Sequence, residues 1–200
     1  HFTEHPYLLG GHPSHADYSL MGALHAHMGL DPVPLSVMQN HAPRVFRWME
    51  HMLVPGVQAP EFYDRPIAYP GGDTLPDTFK AVLAHLADRY ADAFELNARA
   101  WAALARQHQN ESAGMALSEA GDQPGLTAEV EDETGSTLPV TCNLYHAWVG
   151  QRAQRHYAAT TGAARAACDA LAEETGTAAF LNTTPLRWLA REQNRLILGA

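Results

Sequence analysis

The chain has 200 residues, 46% of them apolar, and a formal net charge of −9 at pH 7 with histidine neutral. That acidity argues against nucleic acid or an anionic membrane surface as partner, since both select a basic face. No apolar run of about 18 residues, no basic-then-apolar leader and only two cysteines, Cys142 and Cys168, lead to the expectation of a cytoplasmic protein with free thiols and no transmembrane helix.

The first helix signal follows a Gly-Gly-His-Pro turn. Ser14-His15-Ala16-Asp17 forms a capping box in which Asp replaces the usual Glu. The Ser14 hydroxyl is placed to accept from the backbone three residues on. The Asp17 carboxylate is placed to reach back to the Ser14 N–H and to complement the positive helix end. Tyr18, Met21, Leu24 and Met28 recur at helical spacing, so residues 14–28 read as one helix. Asp31-Pro32-Val33-Pro34 ends it, and residues 34–39 read as a short helical turn. Residues 43–52 read as a second helix with Val45, Trp48, Met49 and Met52 on one face. Residues 54–72, rich in Pro, Gly and aromatics, read as a linker without regular structure.

Thr74-Leu75-Pro76-Asp77 repeats the start device, with Thr74 as cap. A stripe of Phe79, Val82, Leu83, Leu86, Tyr90, Phe94, Ala98 and Trp101 then carries a helical pattern to about residue 108, as one bent helix or two. Residues 109–125 are polar, acidic and Gly-rich and read as a mobile connector. Residues 126–130 and 136–142 alternate around Glu131-Asp132-Glu133-Thr134-Gly135 and predict a β-hairpin. Helices are expected over 145–160 and 162–174, the latter ended by Gly176. Residues 185–198 fit either two short strands around Glu192-Gln193-Asn194 or a helix.

The order Tyr7-Leu8-Leu9-Gly10, Ser14-His15-Ala16-Asp17, a Pro-rich connection, and Ala42-Pro43-Arg44-Val45-Phe46-Arg47-Trp48-Met49 resembles the C-terminal helical domain of glutathione transferases. The match covers about a quarter of the chain. In that family the capping box starts a central buried helix. An N-terminal thioredoxin-like domain, followed by two further helices, binds glutathione and carries the catalytic Tyr, Ser or Cys. Here no βαβ pattern and no Cys-x-x-Cys is found, and the sequence begins at His1 just before the turn. The resemblance therefore implies a fragment, or a chain without its cofactor-binding half. Residues after 76 resemble a helical extension of uncharacterised bacterial glutathione-transferase-like proteins. The counterparts are Tyr145-His146-Ala147-Trp148, Gln151-Arg152 and Asn194-Arg195-Leu196-Ile197-Leu198.

Twelve histidines invite a metal reading, eight of them within the first 51 residues. His25 and His27 diverge on a helix, and no His-Glu-x-x-His or paired-cysteine ligand spacing is present, so no metal site is expected. Cys142 and Cys168 lack the helix N-terminus or cationic neighbour that lowers a thiol's pKa, and buried apolar roles are expected for both. No nucleophile elbow, phosphate loop or dinucleotide fingerprint appears, so no catalytic residue is assigned. Ser14 and Asp17 are read as a structural cap. The resemblance implies an acceptor-substrate pocket lined by this helical domain, with Tyr7, Tyr18, Met21 and His25 as local candidates; for Tyr18 and Met21, core packing is the stronger expectation. Tyr145, Trp148, Gln151 and Arg152 make a second mixed patch, where packing with a solvated Arg is expected.

The expected fold is mainly α: a partial glutathione-transferase C-terminal-type bundle over residues 1–56, a linker over 57–75, and a helical extension over 76–200 with a small β-hairpin. Two functions follow. The chain is the acceptor-substrate side of a glutathione-transferase-like enzyme, inactive alone, with glutathione implied only by the resemblance. Alternatively it is a non-catalytic helical interaction module. The expected partners are the missing thioredoxin-like domain, another protein, or a second copy in a homodimer. Tyr18, Leu20, Met21, Leu24 and Met28 make the 14–28 helix apolar around much of its circumference, and without the family's two preceding helices this implies an exposed apolar patch.

Overall fold

A computed structural model describes residues 1–117, 125–131, 134–182 and 185–199, with Asp73 and Gly125 described by backbone alone. The chain forms two compact units, His1–Val82 and Leu83–Ala200. Among the described residues there are six α-helices and two antiparallel two-stranded hairpins. No described helix is long and apolar enough to cross a membrane.

In the first unit, α1 spans His15–Ala23 and the Ser14–Asp17 box caps it on both sides. The single helix expected over 14–28 is present over residues 15–28, but its winding changes partway. Leu24–Met28 widens into a π-helical turn, closed by the Gly29 N–H donating to the Leu24 carbonyl at 2.8 Å. Gly29 leaves this turn room against α3, since a Cβ there would come within 3.0 Å of the Met49 methyl.

The short turn expected at 34–39 is a full helix, α2, Pro32–His41. Asp31 is extended (φ −86°, ψ 128°), and Pro32 supplies a preset φ where the missing N–H costs nothing. The same prolines therefore end one helix and begin the next. Helix α3, Pro43–His51, again opens on a proline. It buries Trp48, Met49 and His51. Tyr7, Met38, Trp48, Met49 and Met52 form the unit's core, with Phe2 stacked on Trp48 at 4.7 Å.

Residues 54–72 are not wholly irregular: 3₁₀ turns occupy Pro60–Phe62 and Gly71–Asp73. Helix α4 spans Asp77–Gln107. Thr74 does not cap it; its hydroxyl donates instead to the Gly71 carbonyl at 2.9 Å. The helix's first bonds run from the Phe79 and Lys80 N–H groups to the Pro76 carbonyl. The apolar stripe is buried at Ala98 and Trp101, whereas Val82, Leu86 and Tyr90 are exposed. Beside Trp101, the second unit's core draws on Leu104 and on Ala100, Ala103 and Ala105, small residues that admit close packing.

In the second unit, β1 (Gly125–Glu131) pairs with β2 (Thr137–Asn143), setting Leu126 opposite Cys142 and Ala128 opposite Val140. The turn residues 132–133 and residues 118–124 of the 109–125 connector lie outside the described residues. Strand β2 runs straight into α5, Leu144–Ala159, with Asn143 accepting from the His146 N–H at 3.0 Å. Asn97 on α4 holds that junction, accepting from the Asn143 N–H at 2.7 Å and donating to its carbonyl at 3.2 Å. Helix α6, Gly162–Thr175, ends at a left-handed Gly176. The tail resolves into strands: β3 (Leu189–Glu192) pairs with β4 (Arg195–Leu198) through Gln193 (φ 46°) and Asn194 (φ 62°). Two successive positive φ angles make the two-residue turn whose twist suits a hairpin.

Candidate functional site

Asp17 is fully buried and is the hub of the first unit's polar structure. Oδ2 accepts from the Ser14 N–H (2.8 Å) and hydroxyl (2.6 Å). Oδ1 accepts from the Leu8 N–H (2.8 Å) and the Trp48 indole N–H (3.3 Å). A buried carboxylate is tolerated only with such full hydrogen bonding. Every oxygen is engaged, so Ser14 and Asp17 are structural.

Beside this hub lies a cleft of about 170 Å³. Tyr7 and His51 form its inner wall; His12, Arg65, Pro66 and Ile67 are among the other lining residues. The Tyr7 phenol meets His51 Nε2 at 3.0 Å and donates to the Pro55 carbonyl at 3.3 Å. Burial, reinforced by the Asp17 and Tyr18 charges, raises the Tyr7 pKa. Burial and then the Arg47 charge lower that of His51, with Glu61 opposing. Glu61 itself is lowered, first by its own backbone hydrogen bond and then by Arg47 at 3.1 Å. At neutral pH the wall is thus a neutral phenol and a neutral imidazole.

The four pocket candidates separate. Tyr7 is 5% exposed and lines the cleft; Tyr18, Met21 and His25 do not. Tyr18 is 52% exposed on α1, Met21 is half-buried against the first unit's core, and His25 is half-buried in the π turn. His51 was missed by sequence reasoning. Its signal was its position three residues after Trp48, on the buried face of a strongly amphipathic helix.

In the second unit, Tyr145 and Trp148 pack with ring centroids 5.7 Å apart, and the Arg191 guanidinium lies 5.7 and 5.3 Å from them. Gln151 is buried and accepts from the Leu189 N–H at 2.7 Å while donating to the Leu189 carbonyl, tying α5 to β3. Arg152 is exposed and does not join them. Cys142 is fully buried and Cys168 is partly exposed, so the buried role expected for both holds only for Cys142. Among the described residues no three His, Cys, Asp or Glu side chains are grouped to hold a metal.

No protein-family model, curated protein or solved structure matches this chain.

Proposed function

We propose that the chain forms the acceptor-substrate side of a glutathione-transferase-like protein. The observation that carries this reading is the Asp17 hub. One carboxylate joins the three sequence features behind the resemblance: the turn through Leu8, the box through Ser14, and, 31 residues after Asp17, the tryptophan helix through Trp48. In this reading glutathione is held and activated by a thioredoxin-like domain, and no residue of this chain has a role toward the thiol. The chain contributes apolar surface for the electrophile, with Tyr18 and Met21 on α1 as the residues offered.

A second reading, a non-catalytic interaction module, is favoured by one feature. Leu20, Met28, Leu30, Val33 and Val37 are all exposed along α1, the π turn and α2.

The test begins with the coding sequence ahead of His1, where the enzyme reading expects a βαβ unit with a cis-proline. On the protein carrying that unit, conjugation of glutathione to a chlorodinitrobenzene electrophile is expected. Tyr18→Ala with Met21→Ala should raise KM for the electrophile and leave KM for glutathione unchanged. Residues 1–200 alone should show no turnover. Absence of the upstream unit, together with capture of a defined protein partner through α1 and α2, would establish the interaction module instead.

A further inference from the structure

The Tyr7–His51 cleft has a charge pattern opposite to that of the chain. The protein carries a net charge of −9 with histidine neutral, yet the residues lining the cleft include the fixed cation of Arg65 and no Asp or Glu. The nearby carboxylate of Glu61 is already engaged by Arg47 and Arg44, at 3.1 and 3.9 Å. The Arg65 side chain forms no hydrogen bond or ion pair among the described residues. A guanidinium at the rim of a cleft without acids is a ready anion partner.

The rest of the wall is apolar and fixed in place. Pro6, Pro13, Pro55, Ala59, Pro66 and Ile67 supply its apolar lining. The 66–68 segment is clasped by the Gly11 N–H donating to the Ala68 carbonyl at 3.0 Å. Gly11 permits that approach, since a Cβ there would lie 2.0 Å from the Pro66 carbonyl oxygen. Gln58 donates to the Phe62 carbonyl at 2.7 Å and to the Arg65 carbonyl at 3.3 Å, fixing the backbone that carries the arginine. Deep in the cleft, His51 spends Nε2 on Tyr7. No described side-chain N or O is both buried and unpartnered, so its Nδ1, which has no protein partner, is the ring atom that meets solvent. Such a wall is built before a ligand arrives, which lowers the ordering cost of binding.

We propose that this cleft binds a small organic monocarboxylate with a compact apolar body, of the size of benzoate. Arg65 clamps the carboxylate at the rim. The body lies between the prolines and Ile67, and its inner edge meets His51. At about 170 Å³ the cleft falls below the several hundred Å³ typical of drug-sized sites, which selects a single ring or a short branched chain. This site is independent of the acceptor-substrate reading, which rests on α1.

The test uses the 200-residue chain labelled for NMR, titrated with benzoate, with its neutral counterpart benzyl alcohol, and with inorganic phosphate. Benzoate is expected to shift the His51 ring and Ile67 methyl signals saturably. Arg65→Gln, a change at an exposed side chain that leaves the fold intact by its unchanged tryptophan fluorescence, should weaken benzoate by about tenfold and leave the weaker binding of benzyl alcohol unaltered. Three results would overturn the assignment: no saturable shift at His51 with benzoate, equal benzoate affinity in the Arg65→Gln variant, or phosphate competing as well as benzoate.

Discussion

The indole N–H of Trp48 donates to Oδ1 of Asp17 across 3.3 Å, so a residue of α3 completes the carboxylate that starts α1. The capping box is consequently a tertiary junction as well as a helix start. Its loss removes more than a cap.

An N-cap serine replaced by alanine typically costs about 1 kcal/mol. Asp17 answers three buried groups besides the Ser14 hydroxyl, and each stranded donor costs about 1–3 kcal/mol. Asp17→Ala is therefore expected to destabilise the first unit by about 4 kcal/mol, and Ser14→Ala by about 1–2 kcal/mol. Urea unfolding followed by tryptophan fluorescence measures both. Equal midpoints for the two variants would show that Trp48 and Leu8 do not depend on the carboxylate.

Acidification should weaken the first unit before any carboxylate titrates. Burial and Arg47 hold the folded His51 pKa below its usual value, and burial does the same to His5, with Arg65 and the N-terminus assisting and Glu4 opposing. The unfolded chain binds these protons first. Stability is thus constant above the unfolded value of about 6.5 and falls as pH drops from there toward the folded values. Glu61, lowered in the folded state, loses its contribution only below the unfolded carboxylate value of about 4.3, a separate window. Urea midpoints at pH 7.5 and pH 5.5 are the measurement, conditions about one unit either side of the histidine value. His51→Gln should flatten the difference; an unchanged pH dependence would remove His51 from it.

The two thiols should react unequally. Burial pushes the Cys142 thiol up to about 12, so little thiolate forms at mildly alkaline pH. Iodoacetamide should alkylate the native chain at Cys168 alone, and the urea-unfolded chain at both cysteines. A Cys142 adduct on native protein, read by peptide mass, would contradict the burial seen here.

Two glycines lining the cleft should differ sharply. A Cβ at Gly11 would lie 2.0 Å from the Pro66 carbonyl oxygen and 2.9 Å from that of Ala68, whereas at Gly56 it would meet nothing. Gly11→Ala is expected to cost about 2–3 kcal/mol by overpacking and to loosen the clasp on the 66–68 segment. Gly56→Ala should stay within about 0.5 kcal/mol. Thermal unfolding of the two variants side by side decides it.

Local chemistry was legible in the sequence where it acts over a few residues. Ser14 and Asp17 announce a capping box because the box needs only a four-residue spacing. The alternation at Leu126, Ala128 and Val130 announces a strand because side chains on a strand alternate regardless of partner. Gly176 marks a helix end because a left-handed φ favours glycine. Other features depend on which distant groups meet. Leu86 and Tyr90 carry the same helical period as Trp101, but only contact with the second core buries Trp101, so periodicity alone overestimated the stripe. Thr74 offered a cap spacing, and the neighbouring Gly71 carbonyl took its hydroxyl instead. The tail was ambiguous because Leu186 to Leu198 fits two periods; pairing across Gln193 and Asn194 made it a hairpin. His51 and Arg65, fourteen residues apart, share a cleft only because residues 55–67 turn back over α3. Composition and spacing set the helices, the first hairpin and the cap. The cleft, with its cationic rim in an acidic chain, exists only through tertiary contact, since a site is a coincidence in space of groups that no short-range rule connects.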